Sequence, residues 1–118
     1  MTLGQKLRNL RKAANLSLRE LGKKVGTDFT YLSKIENDKT DDRPPSEELL
    51  KKLAKELNAD ETELLFLAER IPDEAKQVLL GNRDAVRFLR NIKDKNLPPD
   101  FWKRLEKELE SQTKGRKT

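Results

Sequence analysis

Thr30, Ser33, Lys34 and Asn37 fall on the outward side of a short stretch, FTYLSKIEN at 29–37, whose inward positions are Leu32 and Ile35. Two hydroxyls, an ammonium and a carboxamide at helical spacing make a patch of directional donors and acceptors, suited to recognising a polar edge by contact. Asp28, Phe29 and Tyr31 flank it. The rest of the chemistry in the chain is narrower than its charge suggests. There is no histidine and no cysteine, which excludes imidazole triads and relays, His- or Cys-ligated zinc, thiol nucleophiles and disulfides. The five glycines are scattered at 4, 22, 26, 81 and 115 and form no phosphate-cradling loop. The 21 acidic residues are interspersed with lysine and arginine in helical patterns, so they read as solvated helix surface and not as an acid–base pair. No enzymatic activity, cofactor or metal is expected.

The elements that must position this patch are helices. Thr2 with Gln5 has capping-box spacing and opens a helix over 2–14, with Leu3, Leu7, Leu10 and Ala14 on one face. Asn15 and Leu16 break it. Ser17 with Glu20 opens a second helix carrying Leu18, Leu21 and Val25, and Gly26 supplies a left-handed turn. Thr27 or Asp28 caps the third, over 28–37. A polar loop, NDKTDDRPP, leads to Ser46, which caps a fourth helix with Leu49, Leu50, Leu53, Ala54 and Leu57. Asp60, with Glu63, opens a fifth with Leu64, Leu65, Leu67, Ala68 and Ile71. No stretch alternates with period two, so the fold class is all-α.

Of the 118 residues, 34% are hydrophobic and 40% charged, with a net charge of +5. Any core is therefore small. No apolar run reaches the roughly 18 residues that span a membrane. The basic start of the chain has no apolar h-region, so no signal peptide is expected, and the expected location is cytoplasmic. Charge is unevenly spread: residues 1–45 hold 10 basic and 6 acidic side chains, 46–71 hold 4 and 7, and 72–118 hold 12 and 8. The positive field sits on the first three helices and on the C-terminal part, as attraction to phosphate requires.

Residues 7–40, LRNLRKAANLSLRELGKKVGTDFTYLSKIENDKT, followed by SEELLKKLAKELNADETELL at 46–65, resemble the lambda repressor (Cro/C1)-type helix-turn-helix domain of the XRE family. The resemblance covers residues 3 to about 71 and implies a five-helix DNA-binding domain over 1–71. Its third helix, at 28–37, would lie in the major groove. There Lys34 suits guanine O6 or N7, Thr30 and Ser33 suit several bases, and Phe29 suits a thymine methyl. Phe29 also reads as a core residue beside Leu32, Tyr31 as a cover for the second helix, Lys34 as a solvated charge, and Asp28 as a helix cap or a cytosine reader.

Phosphate contacts are expected from Ser17, Arg19, Thr27, Tyr31, Asn37, Lys39, Thr40 and Arg43, with N–H groups at the starts of helices two and three. Leu18 stands where the family often has a phosphate-holding Gln, a role neighbouring Arg19 can take. Asp41 and Asp42 are out of place near phosphate, so either the tip of their loop points away or only Lys39 and Arg43 make contact. Gly22, mid-helix where the family usually has Ala, suggests a close crossing. Arg11 and Glu36 both fall on or beside inward faces. Pairing resolves the two anomalies, and the resemblance implies the same bridge.

Residues 72–110 read as three short helices. Their apolar stripe, Val86, Phe88, Leu89, Ile92, Phe101, Trp102 and Leu105, is too small to form a core alone. A single helix-turn-helix domain reads half of a palindromic site, so the expected role is homodimerisation; extension of the first domain's core and docking of another protein are the alternatives. Residues 111–118 are expected to be a flexible basic tail. The function expected is a sequence-specific regulator of transcription, a repressor occupying an operator in double-stranded DNA. The alternative is an antitoxin-like interaction protein that masks a partner and binds DNA secondarily. By resemblance, a zinc metallopeptidase or a toxin is a candidate protein partner.

Overall fold

The computed structural model describes residues 1–40 and 43–113. Asp41 and Asp42, and with them the direction of the loop tip, lie outside the described residues, as does 114–118 of the expected tail. The described residues form eight helices and no strand: α1 (Leu3–Ala13), α2 (Leu18–Val25), α3 (Phe29–Glu36), α4 (Glu47–Glu56), α5 (Glu61–Leu67), α6 (Asp73–Leu80), α7 (Arg83–Ile92) and α8 (Phe101–Thr113). They divide into two units, Met1–Lys76 and Gln77–Thr118.

In the first unit the helix starts follow local chemistry. Thr2–Gln5 and Ser17–Glu20 close complete capping boxes on α1 and α2, satisfying N–H groups that the helices leave unpaired. Asp28, Ser46 and Asp60 cap α3, α4 and α5. The hydrogen bonds of Ser17 hold the Glu20 carboxyl below its usual range. The ionised box therefore supports α2 above the unfolded-state pKa and loses that contribution as pH falls through the lowered value.

The apolar stripes meet in one core, in which Leu7, Leu21, Leu32, Leu50, Leu53 and Leu64 are essentially sealed from solvent. Each buried leucine is worth roughly 1.5–3 kcal/mol. Because α3 buries only Leu32, Ile35 and Glu36, its other residues stay at the surface.

Two glycines set how close α3 lies. A Cβ on Gly22 would come 2.6 Å from the Thr27 carbonyl oxygen and 3.4 Å from the Phe29 nitrogen, so the expected close crossing is the turn itself packed on α2. A Cβ on Gly4 would meet the carbonyl oxygens of Glu36 at 2.5 Å and Ile35 at 2.6 Å. Both are backbone atoms, so a side chain at Gly4 would have to part α1 from the end of α3.

Two residues expected on apolar faces lie elsewhere. Ala14 is the exposed C-cap of α1, which ends when Asn15 turns left-handed (φ 57°). Ile71 is half-exposed beyond α5, whose end is followed by Glu69 at φ 56°. Asn15 ends α1 where the sequence breaks it, whereas nothing marks the stop at Glu69, so the apolar pattern runs on to Ile71. Past α5, Arg70 donates to the carbonyls of Pro44 and Pro45, anchoring the loop after α3.

In the second unit, Asn82 caps α7 by accepting from the Asp84 and Ala85 N–H groups. Phe101 and Trp102 meet edge to face at 5.1 Å. The last helix continues through Thr113, so 111–113, expected as tail, is helical. No described residue after Ala68 is fully buried. Val86, Phe88, Leu89, Trp102 and Leu105 are each between 38% and 53% exposed. Among the described residues, no helix is long and apolar enough to cross a membrane.

Candidate nucleic-acid interface

The surface centred on α3 is built from its first residue. Asp28 precedes the helix in extended conformation and accepts from the Thr30 N–H at 2.9 Å, so its carboxylate acts as the cap. Gly26 at φ 69° makes the turn from α2, a conformation that costs a residue with a Cβ. On the outer side Phe29, Thr30, Tyr31 and Lys34 are exposed, and Ser33 and Thr27 are half-buried. Phe29 is not part of the core. Its ring lies under the Arg19 guanidinium, 4.3 Å from carbon to centroid. Leu18 turns the other way and packs against the core, whereas Arg19 and Glu20 of the first turn of α2 are exposed.

Behind this face, α3 is bolted to α1. Arg11 donates from Nε to Glu36 Oε2 at 2.7 Å and from Nη2 to Oε1 at 3.0 Å. Its Nη1 donates to the Leu16 carbonyl at 2.9 Å. The Glu36 side chain is only 3% exposed and that of Arg11 13%. Such a bidentate fork fixes both distance and orientation. The hydrogen bond to Glu36 raises the Arg11 pKa above its already high ordinary value, against the opposing effect of burial, so the guanidinium stays charged.

Three partners in this bracing were not read from the sequence. Arg8 reaches Glu36 Oε1 at 3.4 Å and donates to Asn37 Oδ1 at 2.7 Å. Asn37, expected at a phosphate, commits its amide to the protein: besides accepting from Arg8, Nδ2 donates to the Ser33 carbonyl at 2.8 Å. Asp38, at φ 55°, accepts from Thr2 Oγ1 at 2.7 Å and from the Gly4 N–H at 3.2 Å. The end of α3 thus closes onto the start of α1. The one sequence signal was the placement of Arg8 three residues before Arg11; Asp38 gave none.

The remaining polar candidates are surface residues of the same unit. Ser17 caps α2, Lys39 and Arg43 are exposed, and Thr40 is half-buried and accepts from the Arg43 N–H at 3.1 Å.

A pair of helices joined through a left-handed glycine, with the second locked from behind and polar in front, defines a helix-turn-helix module. A helix-turn-helix family model matches residues 7–64, and the chain belongs to the Cro/C1-type (XRE) family of DNA-binding transcription regulators. The crystal structure of SinR, the master regulator for biofilm formation, in complex with DNA is 34% identical over 54% of this chain and 98% of that one, with a TM-score of 0.50. A SinR protein/SinI protein complex is similar in fold over 95% of this chain and 98% of that one, at 23% identity and a TM-score of 0.51. The solution structure of the N-terminal DNA-binding domain of SinR from Bacillus subtilis is 35% identical over 55% of this chain and 90% of that one, with a TM-score of 0.46. No curated protein matches the chain.

Proposed function

We propose that the chain represses transcription by binding a palindromic operator as a homodimer, with α3 of each copy in the major groove. The observation that carries this is the exposed face of α3, held rigid by the Arg11–Glu36 fork behind it. Thr30, Ser33 and Lys34 read base edges, with Asp28 and Phe29 at the leading end. Ser17, Arg19, Thr27, Tyr31, Lys39, Thr40 and Arg43 face phosphate, and Asn37 serves mainly to hold the end of α3. Residues 1–71 form the reading domain and 72–110 the dimerising region, where Val86, Phe88, Leu89, Trp102 and Leu105 are exposed in the single chain. Joining two copies through that stripe presents two recognition helices about one DNA turn, roughly 34 Å, apart. A bound dimer blocks polymerase by occupancy.

Binding is expected to weaken steeply with salt, each neutralised phosphate adding about −0.9 to the slope of log K against log salt. Lys39→Ala should lower specific and nonspecific affinity alike and reduce that slope by about 1. Fluorescence anisotropy between low and moderate salt measures both. A flat salt response contradicts the phosphate-contact reading, and a loss confined to one base position makes Lys39 a base reader.

A further inference from the structure

We propose that Arg19 and Phe29 act as one specificity-determining unit: an aromatic ring, braced by a guanidinium, that reads the C5-methyl group of a pyrimidine in the major groove. This rests on the DNA-binding reading above and adds the chemical group that its leading end selects.

Phe29 is the first residue of α3 and is 37% exposed. The residue is not among the buried core, and its ring has no hydrogen-bonding group with which to read a purine edge. Its position is nevertheless fixed from three directions. The Phe29 backbone nitrogen lies 3.4 Å from where a Gly22 Cβ would stand, so α2 holds its main chain close. The Asp28 cap on the Thr30 N–H sets the start of the helix. Arg19, from the first turn of α2, covers the ring at 4.3 Å, an attraction between a cation and the negative face of the ring.

A ring so held is preorganised and loses little freedom on binding. The apolar feature that the major groove offers it is the methyl group at C5 of thymine, or of 5-methylcytosine. Stacking engages the flat face of the guanidinium and leaves its N–H edges for a neighbouring phosphate. Arg19 is therefore a positioning residue for Phe29 as well as a phosphate contact.

The test uses the full-length chain and a DNA sequence that it selects from a random pool. Each thymine of one half-site is replaced in turn by uracil, which removes only the methyl group. At one position affinity should fall about fourfold, the effect of one buried methyl. At that same position 5-methylcytosine should bind better than cytosine by a similar factor, which shows that the methyl, whatever base carries it, is what is read. Phe29→Ala should bind the thymine and uracil sites equally. Arg19→Ala, with an unchanged circular dichroism spectrum, should shrink the thymine-to-uracil ratio. If Arg19→Ala weakens both sites alike and leaves the ratio intact, Arg19 is only a phosphate contact and the paired unit is refuted. Equal binding of every uracil site by the unmodified protein, with sequence selectivity retained, overturns the inference and leaves DNA recognition standing. Enrichment of no sequence at all removes the DNA-binding reading and the inference with it.

Discussion

Glu36→Ala is expected to destabilise the first unit by about 3–5 kcal/mol, and Arg11→Ala by a similar amount. The expectation follows from the depth of the pair: Glu36 accepts two hydrogen bonds from one guanidinium, and its side chain is 3% exposed. Removing Glu36 leaves the Arg11 guanidinium without its carboxylate, and removing Arg11 leaves the buried Glu36 with only the longer Arg8 contact at 3.4 Å. The two variants should differ in detail. Arg11→Ala also releases the Leu16 carbonyl, whereas Glu36→Ala leaves Arg8 with Asn37 as a remaining partner. The double variant should lose less than the sum of the singles, because neither charge is then stranded. Urea unfolding of all four proteins completes the cycle. Small, additive losses would mean that the two charges do not stabilise each other.

The second large effect concerns assembly. Leu89→Asp or Trp102→Ala is expected to convert a dimer into a monomer at micromolar concentration and to weaken binding to a palindromic operator by roughly 10²–10⁴, the gain that linking two half-sites confers. Affinity for a single half-site should be unchanged. The basis is the uncovered surface of the second unit, where Leu89 is 38% and Trp102 53% exposed. Light scattering of the free and DNA-bound protein reads the outcome. A full-length chain that stays monomeric in both states would refute dimerisation and leave this face to a different protein, such as a toxin or a metallopeptidase.

Much of this architecture was legible because it depends on neighbours in sequence. Capping boxes span three residues, so Thr2–Gln5 and Ser17–Glu20 announce α1 and α2 directly. Gly26 marks its turn because few other residues accept that conformation. The Arg11–Glu36 pair could be read from separate helices because each charge stood at an inward position with no local partner.

Contacts that exist only once the chain has folded were not legible. Gly4 reads as an ordinary helical residue until α3 comes within 2.5 Å of its absent side chain. Asp38 reads as loop charge until it meets Thr2. Phe29 stood at the margin of the apolar stripe, where periodicity cannot separate core from surface, and the Arg19 ring contact decided it. The end of α5 was overrun at Ile71 because Glu69 turns left-handed with no glycine to signal it, whereas Asn15 marked the end of α1.

The central claim is that α3 reads DNA sequence. The most direct measurement is selection of bound sequences from a random DNA pool by the unmodified chain and by its Thr30→Ala, Ser33→Ala and Lys34→Ala variants. The unmodified chain should enrich a palindrome, and each variant should relax preference at one or two base pairs, worth about 1–3 kcal/mol at a good contact, with helical content unchanged. Failure of the unmodified chain to enrich any sequence, or identical profiles from all four proteins, would contradict the account.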